Sequence, residues 1–500
     1  MRPRLIFPFR FVDCPLLASR RDVEFKTTPS WFQLLFSGMR VGIIGGGAAG
    51  LATARAFLRA NEEEGSIRFV VTVLEARDCI GGIWNYHNNN INPASTSTNT
   101  NNKKCRPMYQ NLRTNLPREL MAFRELPWGG DGMNSYVSHE QVQHYLEEYA
   151  NKFDLLRNIH FGCSVTALKM LIGDDKAECN NEKKWSKLSL EWMDRNKNQS
   201  SQQTFDAVCV CTGHYALPSY PRIPGLDSFA GKVMHSIEYD NPSDFVGLTV
   251  LCVGGRASGG DITREISQVA KRVYLSDSSC DRKQEYGNVV HMPRTRSITG
   301  YGDITFSNEK NDIWTTNDVD VIILCSGYDY SFPFITDKSN LDFTAPIGER
   351  RVQPLYLQLW HAHHPSLSFI GLPHSVVPFP FCEIQANAVV SQWTGKVGSI
   401  PLPQLADRIA AAERDANSGG PKGLRIVDTH ELGSAQWNYC TRLAKISGTY
   451  DESMSCFIDT NRAIYEKSRE ERTRTLPGGN DLYRNTRFRR CDKDRSFEIL

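Results

Sequence analysis

The sequence predicts an α/β protein made of two nested Rossmann-like dinucleotide-binding domains. Two apolar strands each run into a glycine-rich turn, at Gly45–Gly50 and Gly254–Gly259. After each turn comes a helical segment and a second strand with an acid at or just past its end, Glu75 and Asp277. The second unit lies inside the chain of the first, whose apolar segments resume beyond residue 325.

Taken in order, residues 1–38 carry Arg2, Arg4 and Arg10 but no apolar stretch followed by a small-residue cleavage site. That argues against a secretory signal. Asp13, Asp22 and Glu24 weaken a transit-peptide reading, so the segment is either a dispensable extension or a targeting segment, with Met39 an alternative start. Arg40–Ile44 is expected as a strand, Leu51–Ala60 as a helix and Arg68–Leu74 as the second strand. Residues 87–104 are rich in Asn, Ser and Thr and read as a solvated insertion. Ser138–Phe153 has helical periodicity, 173–203 reads as a hairpin tip and loop, and Phe205–Cys211 as a buried strand. The second unit is expected as a strand at Leu248–Val253, a helix from about Asp261 to Ala270, and strands at Arg272–Ser276 and Asp320–Cys325. The C-terminus reads as a charged helical tail containing the basic stretch Arg484–Arg490.

Composition excludes several classes. The 500 residues suffice for two or three domains. Lys and Arg number 58 and Asp and Glu 56, a net charge of +2 that argues against a dedicated nucleic-acid binder. No apolar run approaches the roughly 20 residues of a membrane span, so no membrane anchor and a soluble protein are expected. The 14 cysteines include no C-x-x-C pair, which disfavours a zinc ribbon or a redox dithiol. Cys209, Cys211, Cys252 and Cys325 sit in strand-like runs as small hydrophobes of a reducing, cytoplasmic compartment. His361, His363 and His364 fit no helical i, i+4 pair, and no metal is expected.

Within Gly45-Gly46-Gly47-Ala48-Ala49-Gly50, the three glycines of G-x-G-x-x-G have separate tasks. Gly45 permits the turn, Gly47 lets backbone approach a pyrophosphate, and Gly50 lets the helix pack on the strand. The helix N-terminus faces the phosphates, and Glu75 is placed to accept ribose hydroxyls. The following Gly81-Gly82-Ile83-Trp84 turn favours a flavin dinucleotide: the glycines let the chain pass close to the ribityl and pyrophosphate, and Trp84 covers the ring or serves as a core aromatic. In Gly254-Gly255-Arg256-Ala257-Ser258-Gly259 the position matching Gly47 is Arg256. Its side chain hinders backbone approach, but its guanidinium suits direct phosphate contact. Asp277 suits the 2′-hydroxyl of NAD, whereas Arg282 and Lys283 suit the 2′-phosphate of NADP; by chemistry alone the choice is even.

These features resemble the flavin-containing monooxygenases, and among them the fungal and plant S-oxygenating branch. The resemblance covers about residues 40–495. Its most specific marker is Phe229-x-Gly231-x-x-x-His235-x-x-x-Tyr239, and Tyr239 stands where the Baeyer–Villiger relatives usually have Trp. Leu112–Met121 resembles the block bearing the active-site asparagine, here Asn115, flanked by Thr114 and Leu116. The segments Pro354–Tyr356, Phe369–Pro373 and Pro378–Pro380 resemble the branch's C-terminal block.

The resemblance implies FAD and NADPH as cofactors, molecular oxygen as co-substrate, and S- or N-oxygenation of thioethers or amines through a C4a-hydroperoxyflavin. It implies that Asn115 orients the oxygenated flavin and NADP⁺, that Ser258 donates to a phosphate, and that Arg282 belongs to the cofactor site. A turn asparagine is the alternative for Asn115, and a linker-fixing histidine is our reading of His235. The implied division is an extension at 1–38, a FAD-binding domain at 39–215 and 326–430, an NADPH-binding domain at 216–325 and a helical tail at 431–500. An uncoupled NADPH oxidase and a non-catalytic nucleotide-binding protein are the rival readings, and a homo-oligomer is left open.

Overall fold

The computed structural model describes residues 38–63, 68–86, 107–129, 133–171, 186–417, 425–473 and 481–500. The extension at 1–37 and the Asn-rich insertion fall outside the described residues.

The first sheet has seven strands, built on Met39–Ile44, whose buried residues meet helix Ala48–Ala60 on one face and the antiparallel strands Lys187–Asp194 and Gln199–Phe205 on the other. Met39–Ile44 pairs in parallel with Phe69–Leu74 on one side and Ala207–Val210 on the other. Leu367–Phe369 extends the parallel sheet beyond Ala207–Val210, and Ile159–His160 beyond Phe69–Leu74. Helix Ala48–Ala60 packs against the long buried helix Pro378–Thr394, where Arg59 Nη2 donates to Asn387 Oδ1 at 2.5 Å.

The second sheet has six strands, in the order 284–286, 289–292, 272–276, 249–253, 321–324 and 232–235. All its pairings are parallel except the hairpin of Gln284–Tyr286 with Val289–Met292. Its strands lie between residues 210 and 355 of the first, so the nesting read from the sequence is the observed arrangement.

The 229–239 motif closes the edge of this second sheet. A Cβ on Gly231 would overlap the Asp320 carbonyl oxygen and the Phe229 ring, so only glycine admits the edge strand Lys232–His235 so close to its neighbour. His235 is fully buried; its Nδ1 accepts from the Ile237 N–H at 3.1 Å and its Nε2 lies 3.1 Å from the Gly327 carbonyl. Those partners fix the neutral Nε2–H tautomer, and burial lowers the pKa. His235 is therefore a linker-fixing residue. Tyr239 donates to Glu265 Oε2 at 2.5 Å and meets Tyr109 edge-on.

Three local expectations need correction. The helix after the second turn spans Ala257–Ile266, not 261–270, because its ladder starts at the turn itself: the Gly260 N–H reaches the Arg256 carbonyl at 2.9 Å. Residues 187–203 are not loop; Lys187–Asp194 and Gln199–Phe205 join Cys163–Leu171 in an antiparallel sheet. The C-terminal region is helical over Gln436–Ile446 and Glu452–Thr473, but Phe488–Cys491 and Ser496–Ile499 form a hairpin. Cross-strand pairing of Arg489 with Glu498, 3.0 Å apart, replaces the helix that the charge pattern suggested.

Among the described residues no helix is long and apolar enough to cross a membrane.

Candidate functional site: two glycine turns and the segment between them

At the first turn Gly45 has φ +106°, and a Cβ there would stand 2.7 Å from the Cys211 carbonyl oxygen. A Cβ on Gly50 would overlap the Gly45 carbonyl oxygen. Both glycines are thus demanded by the fold. Gly47 differs: its Cβ would meet only the backbone of Gly82, at 3.4 Å, an ordinary contact. Among the described residues no atom forbids a Cβ at Gly47, in keeping with a position where a pyrophosphate passes.

The Gly81–Gly82 turn lies directly across this loop. The Gly81 N–H donates to the Gly46 carbonyl at 3.1 Å, and the Arg77 guanidinium donates to the Gly82 carbonyl. Glu75 is buried; its Oε2 accepts from the Gly46 N–H at 2.6 Å and its Oε1 from the Arg77 N–H at 2.8 Å. Each carboxylate oxygen keeps a second lone pair for a ribose hydroxyl. Ala48, Ala49 and Ile83 are half-buried here, and Gly371 crosses the helix start with its Cβ position 3.5 Å from Ala49. Trp84 is half-buried and edge-on to Phe379, 6.4 Å between ring centroids, on the rim of the core.

The second turn repeats the frame with Gly254 at φ +111° and its Cβ position 2.5 Å from the Cys325 carbonyl oxygen. A Cβ on Gly259 would overlap the Gly254 carbonyl oxygen, and one on Gly255 would overlap Asp277 Oδ2. Arg256, Ala257 and Ser258 are all exposed. Arg256 occupies the N-cap position without a side-chain cap, and its Nη1 lies 3.2 Å from Glu431 Oε2, joining the turn to the chain that follows the first sheet. The Ser258 hydroxyl has no hydrogen bond among the described residues, so it is free to donate to an anion.

Asp277 accepts from the N–H and hydroxyl of Ser279 at 3.0 and 2.9 Å. Lys283 is engaged with Glu285 at 2.7 Å, whereas the exposed Arg282 guanidinium has no ion pair among the described residues. Of the two cations expected near a 2′-phosphate, Arg282 is the one available.

Between the turns runs the segment 109–116. Tyr109 and Leu112 pack on the core of the second fold, and Leu116 on the core of the first. Asn115 sits at this crossing, exposed, with no side-chain hydrogen bond among the described residues. A local cap would have bonded its amide to nearby backbone, and that bond is not there. Its neighbour Thr114 is buried and fixed: its N–H donates to the Val137 carbonyl at 2.8 Å, and its Oγ1 accepts from the Val137 N–H at 3.1 Å.

Sequence reasoning missed Arg484, whose Nε donates to the Thr114 carbonyl at 3.1 Å. It was read as part of a basic tail, and nothing local signals a partner 370 residues away. It also missed Gln143, which lies where a Cβ on Gly81 would be and donates to the Ile80 carbonyl at 3.2 Å.

Two nested nucleotide folds, each with a fold-demanded glycine turn and an acid after it, define a two-dinucleotide oxidoreductase. A sequence model of the family described as flavin-binding monooxygenase-like matches residues 38–292, and the chain belongs to that family. The flavin-containing monooxygenase FMO GS-OX-like 4 of Arabidopsis thaliana is 34% identical over 422 residues, 82% of this chain and 87% of that one. The structure of S-allyl-L-cysteine S-oxygenase from Allium sativum superposes with a TM-score of 0.74 at 30% identity, covering 92% of this chain and 97% of that one. Tmm from a Pelagibacter strain shares the fold, with a TM-score of 0.68 at 21% identity over 90% of this chain and 93% of that one. The protein is therefore a flavin monooxygenase similar to the plant S-oxygenating relatives, its cofactors are FAD and NADPH, and it acts on a small molecule with oxygen.

Proposed function

We propose that this monooxygenase uses NADPH and molecular oxygen to place one oxygen atom on the sulfur of a small thioether, with amine nitrogen as the second class of acceptor. The balance is NADPH, a proton, O2 and thioether giving NADP⁺, water and sulfoxide. The sulfur substrate of the garlic enzyme named above supports thioethers as the first class to test. When bound, the flavin supplies the hydride acceptance and oxygen activation, and the protein supplies binding, orientation and a dry site.

In this reading Gly45, Gly46, Gly47, Ala48, Ala49 and Gly50 present the helix N-terminus to the flavin nucleotide's pyrophosphate, and Glu75 holds its ribose. Gly82, Ile83 and Trp84 flank the flavin half. Gly254, Gly255, Ala257 and Gly259 form the cradle for NADPH, where Arg256 and Ser258 bind phosphate and Arg282 binds the 2′-phosphate. Thr114 and Leu116 anchor the segment that presents Asn115. The buried thiols Cys209, Cys211, Cys252 and Cys325 support a reducing, cytoplasmic setting.

The unbonded amide of Asn115, exposed between the two folds, carries the reading. An amide donates hydrogen bonds without an acidic proton, so it orients reduced oxygen and NADP⁺ without promoting peroxide release. The test is Asn115→Ala, assayed with a panel of thioethers and amines. We expect flavin binding and reduction by NADPH to persist while turnover diverts to hydrogen peroxide. Loss of one hydrogen bond to a charged group costs on the order of 1.5–3 kcal/mol, about one to two decades in rate. Wild-type coupling in that variant would refute the role of Asn115.

A further inference from the structure

Four charged side chains close a ring beside Asn115. Arg484 Nη2 reaches Asp261 Oδ2 at 2.7 Å, and Asp261 Oδ1 meets Arg264 Nη1 at 2.8 Å. Arg264 Nη1 meets Asp481 Oδ1 at 2.6 Å, and Asp481 Oδ2 returns to Arg484 Nη1 at 2.7 Å. Two cations and two anions leave no net charge, and the Arg484 side chain is only 4% exposed. Asp261 and Arg264 lie on the helix Ala257–Ile266 that follows the second glycine turn, and Asp481 and Arg484 on the C-terminal segment. Tyr109 donates a further bond to Asp261 Oδ2 at 3.3 Å.

Arg484 also donates outside the ring. Its Nε–H binds the carbonyl of Thr114, and that carbonyl belongs to the same peptide group as the Asn115 N–H. Nη2 also lies 3.4 Å from the Arg113 carbonyl. The planar guanidinium therefore holds the peptide bearing Asn115 in fixed orientation to the helix whose N-terminus faces the nicotinamide nucleotide. A rigid fork spreads its donors over three nitrogens to reach Asp261, Asp481 and Thr114, a spacing that a lysine ammonium, with its three donors on one atom, does not reproduce.

We propose that Arg484 is a positioning residue that couples occupation of the second nucleotide fold to the placement of Asn115. The proposal rests on the reading of that fold as the NADPH site and of Asn115 as the group between the two cofactors. Nucleotide that orders the helix start would order Asp261 and Arg264, then Arg484 and the peptide at Thr114. Loss of the fork would leave both cofactors bound but Asn115 loosely held.

Amide hydrogen exchange on the flavin-loaded protein, with and without NADP⁺, tests this. In the wild type, NADP⁺ should slow exchange in Ala257–Ile266 and also in Leu482–Asn485, which lies outside the turn. In Arg484→Lys at equal flavin content, protection of the helix should remain and that of Leu482–Asn485 should vanish. The share of NADPH oxidation ending as hydrogen peroxide should rise about tenfold, the scale of one charge-assisted hydrogen bond. No protection anywhere in 254–266 would overturn the nucleotide reading and the coupling with it. Protection of the helix without Leu482–Asn485 in the wild type overturns the coupling alone. So does an Arg484→Lys protein with wild-type protection and peroxide yield. Should that variant fail to accumulate, the wild-type exchange pattern decides by itself.

Discussion

The two glycine turns share a frame but differ at two positions, Gly47 against Arg256 and Ala49 against Ser258, and the first of these separates what a fold requires from what a ligand requires. Gly45 and Gly254 both turn with positive φ against the carbonyl of a neighbouring strand, and Gly50 and Gly259 both leave no room for a Cβ. At the third position the first turn has Gly47, facing the backbone of Gly82, and the second has Arg256, exposed and paired with Glu431. The described backbone leaves room for a Cβ at Gly47, and Arg256 carries its side chain into solvent. A bare backbone suits the close passage of a pyrophosphate, whereas a guanidinium suits a phosphate held at side-chain distance.

The largest expected effect comes from the shared frame. Gly50→Ala and Gly259→Ala each drive a methyl into a carbonyl oxygen, so strain well above the usual 1–3 kcal/mol of overpacking is expected. Gly50→Ala should yield no flavin-loaded protein. Gly259→Ala should damage the second fold first, so any protein recovered should be yellow yet unable to bind NADP⁺, read by absorbance and calorimetry. Equal loss of both cofactors in both variants would break the independence of the two folds.

Next come the differing positions. Gly47→Val should give apoprotein or a strongly weakened flavin complex; full flavin occupancy in a folded variant would contradict the pyrophosphate assignment. Arg256→Ala should leave flavin content unchanged and weaken NADP⁺ binding by about tenfold, as expected for one charge-assisted contact. Arg282→Ala should shrink the preference for NADPH over NADH, while Lys283→Ala, whose ammonium is already held by Glu285, should leave it nearly unchanged; the ratio of kcat/KM values measures this.

A separate effect is in pH. Near Glu431, the partner of Arg256, burial chiefly pulls His430 down to about 3 and His214 to about 4, with His374 adding to both. Both histidines are favoured neutral when folded, so their stabilisation is full above the unfolded value near 6.5 and is lost as pH falls from there towards 4. Each contributes at most about 1.4 kcal/mol per pH unit. Thermal unfolding of His214→Phe should show a flatter pH dependence than wild type over that window.

Both turns, Glu75 and the nesting of one fold in the other were legible because each rests on local chemistry. A glycine triplet between an apolar strand and a helix, with an acid one strand later, can be read within some 35 residues. The motif ending in Tyr239 was recognisable as a pattern, but its reason was not: Gly231 answers to Asp320, and His235 to Gly327, both about 90 residues away. Helix and strand limits failed where tertiary pairing overrode local character, as in the sheet over 187–205 and the terminal hairpin.

The sequence alone determined the strands and turns of the two nucleotide folds, since these follow from residue size, backbone freedom and charge within short stretches, while the candidate amide was marked by the resemblance of Leu112–Met121 to the family's block. Only the tertiary structure decided that Asn115 is unbonded at the junction of two cores, that Arg282 rather than Lys283 is available, and that Arg484 holds the Thr114 carbonyl. Those facts depend on which groups meet across tens to hundreds of residues. A hydrogen bond requires donor and acceptor within about 3 Å, a distance that packing of the whole chain sets and no local pattern records.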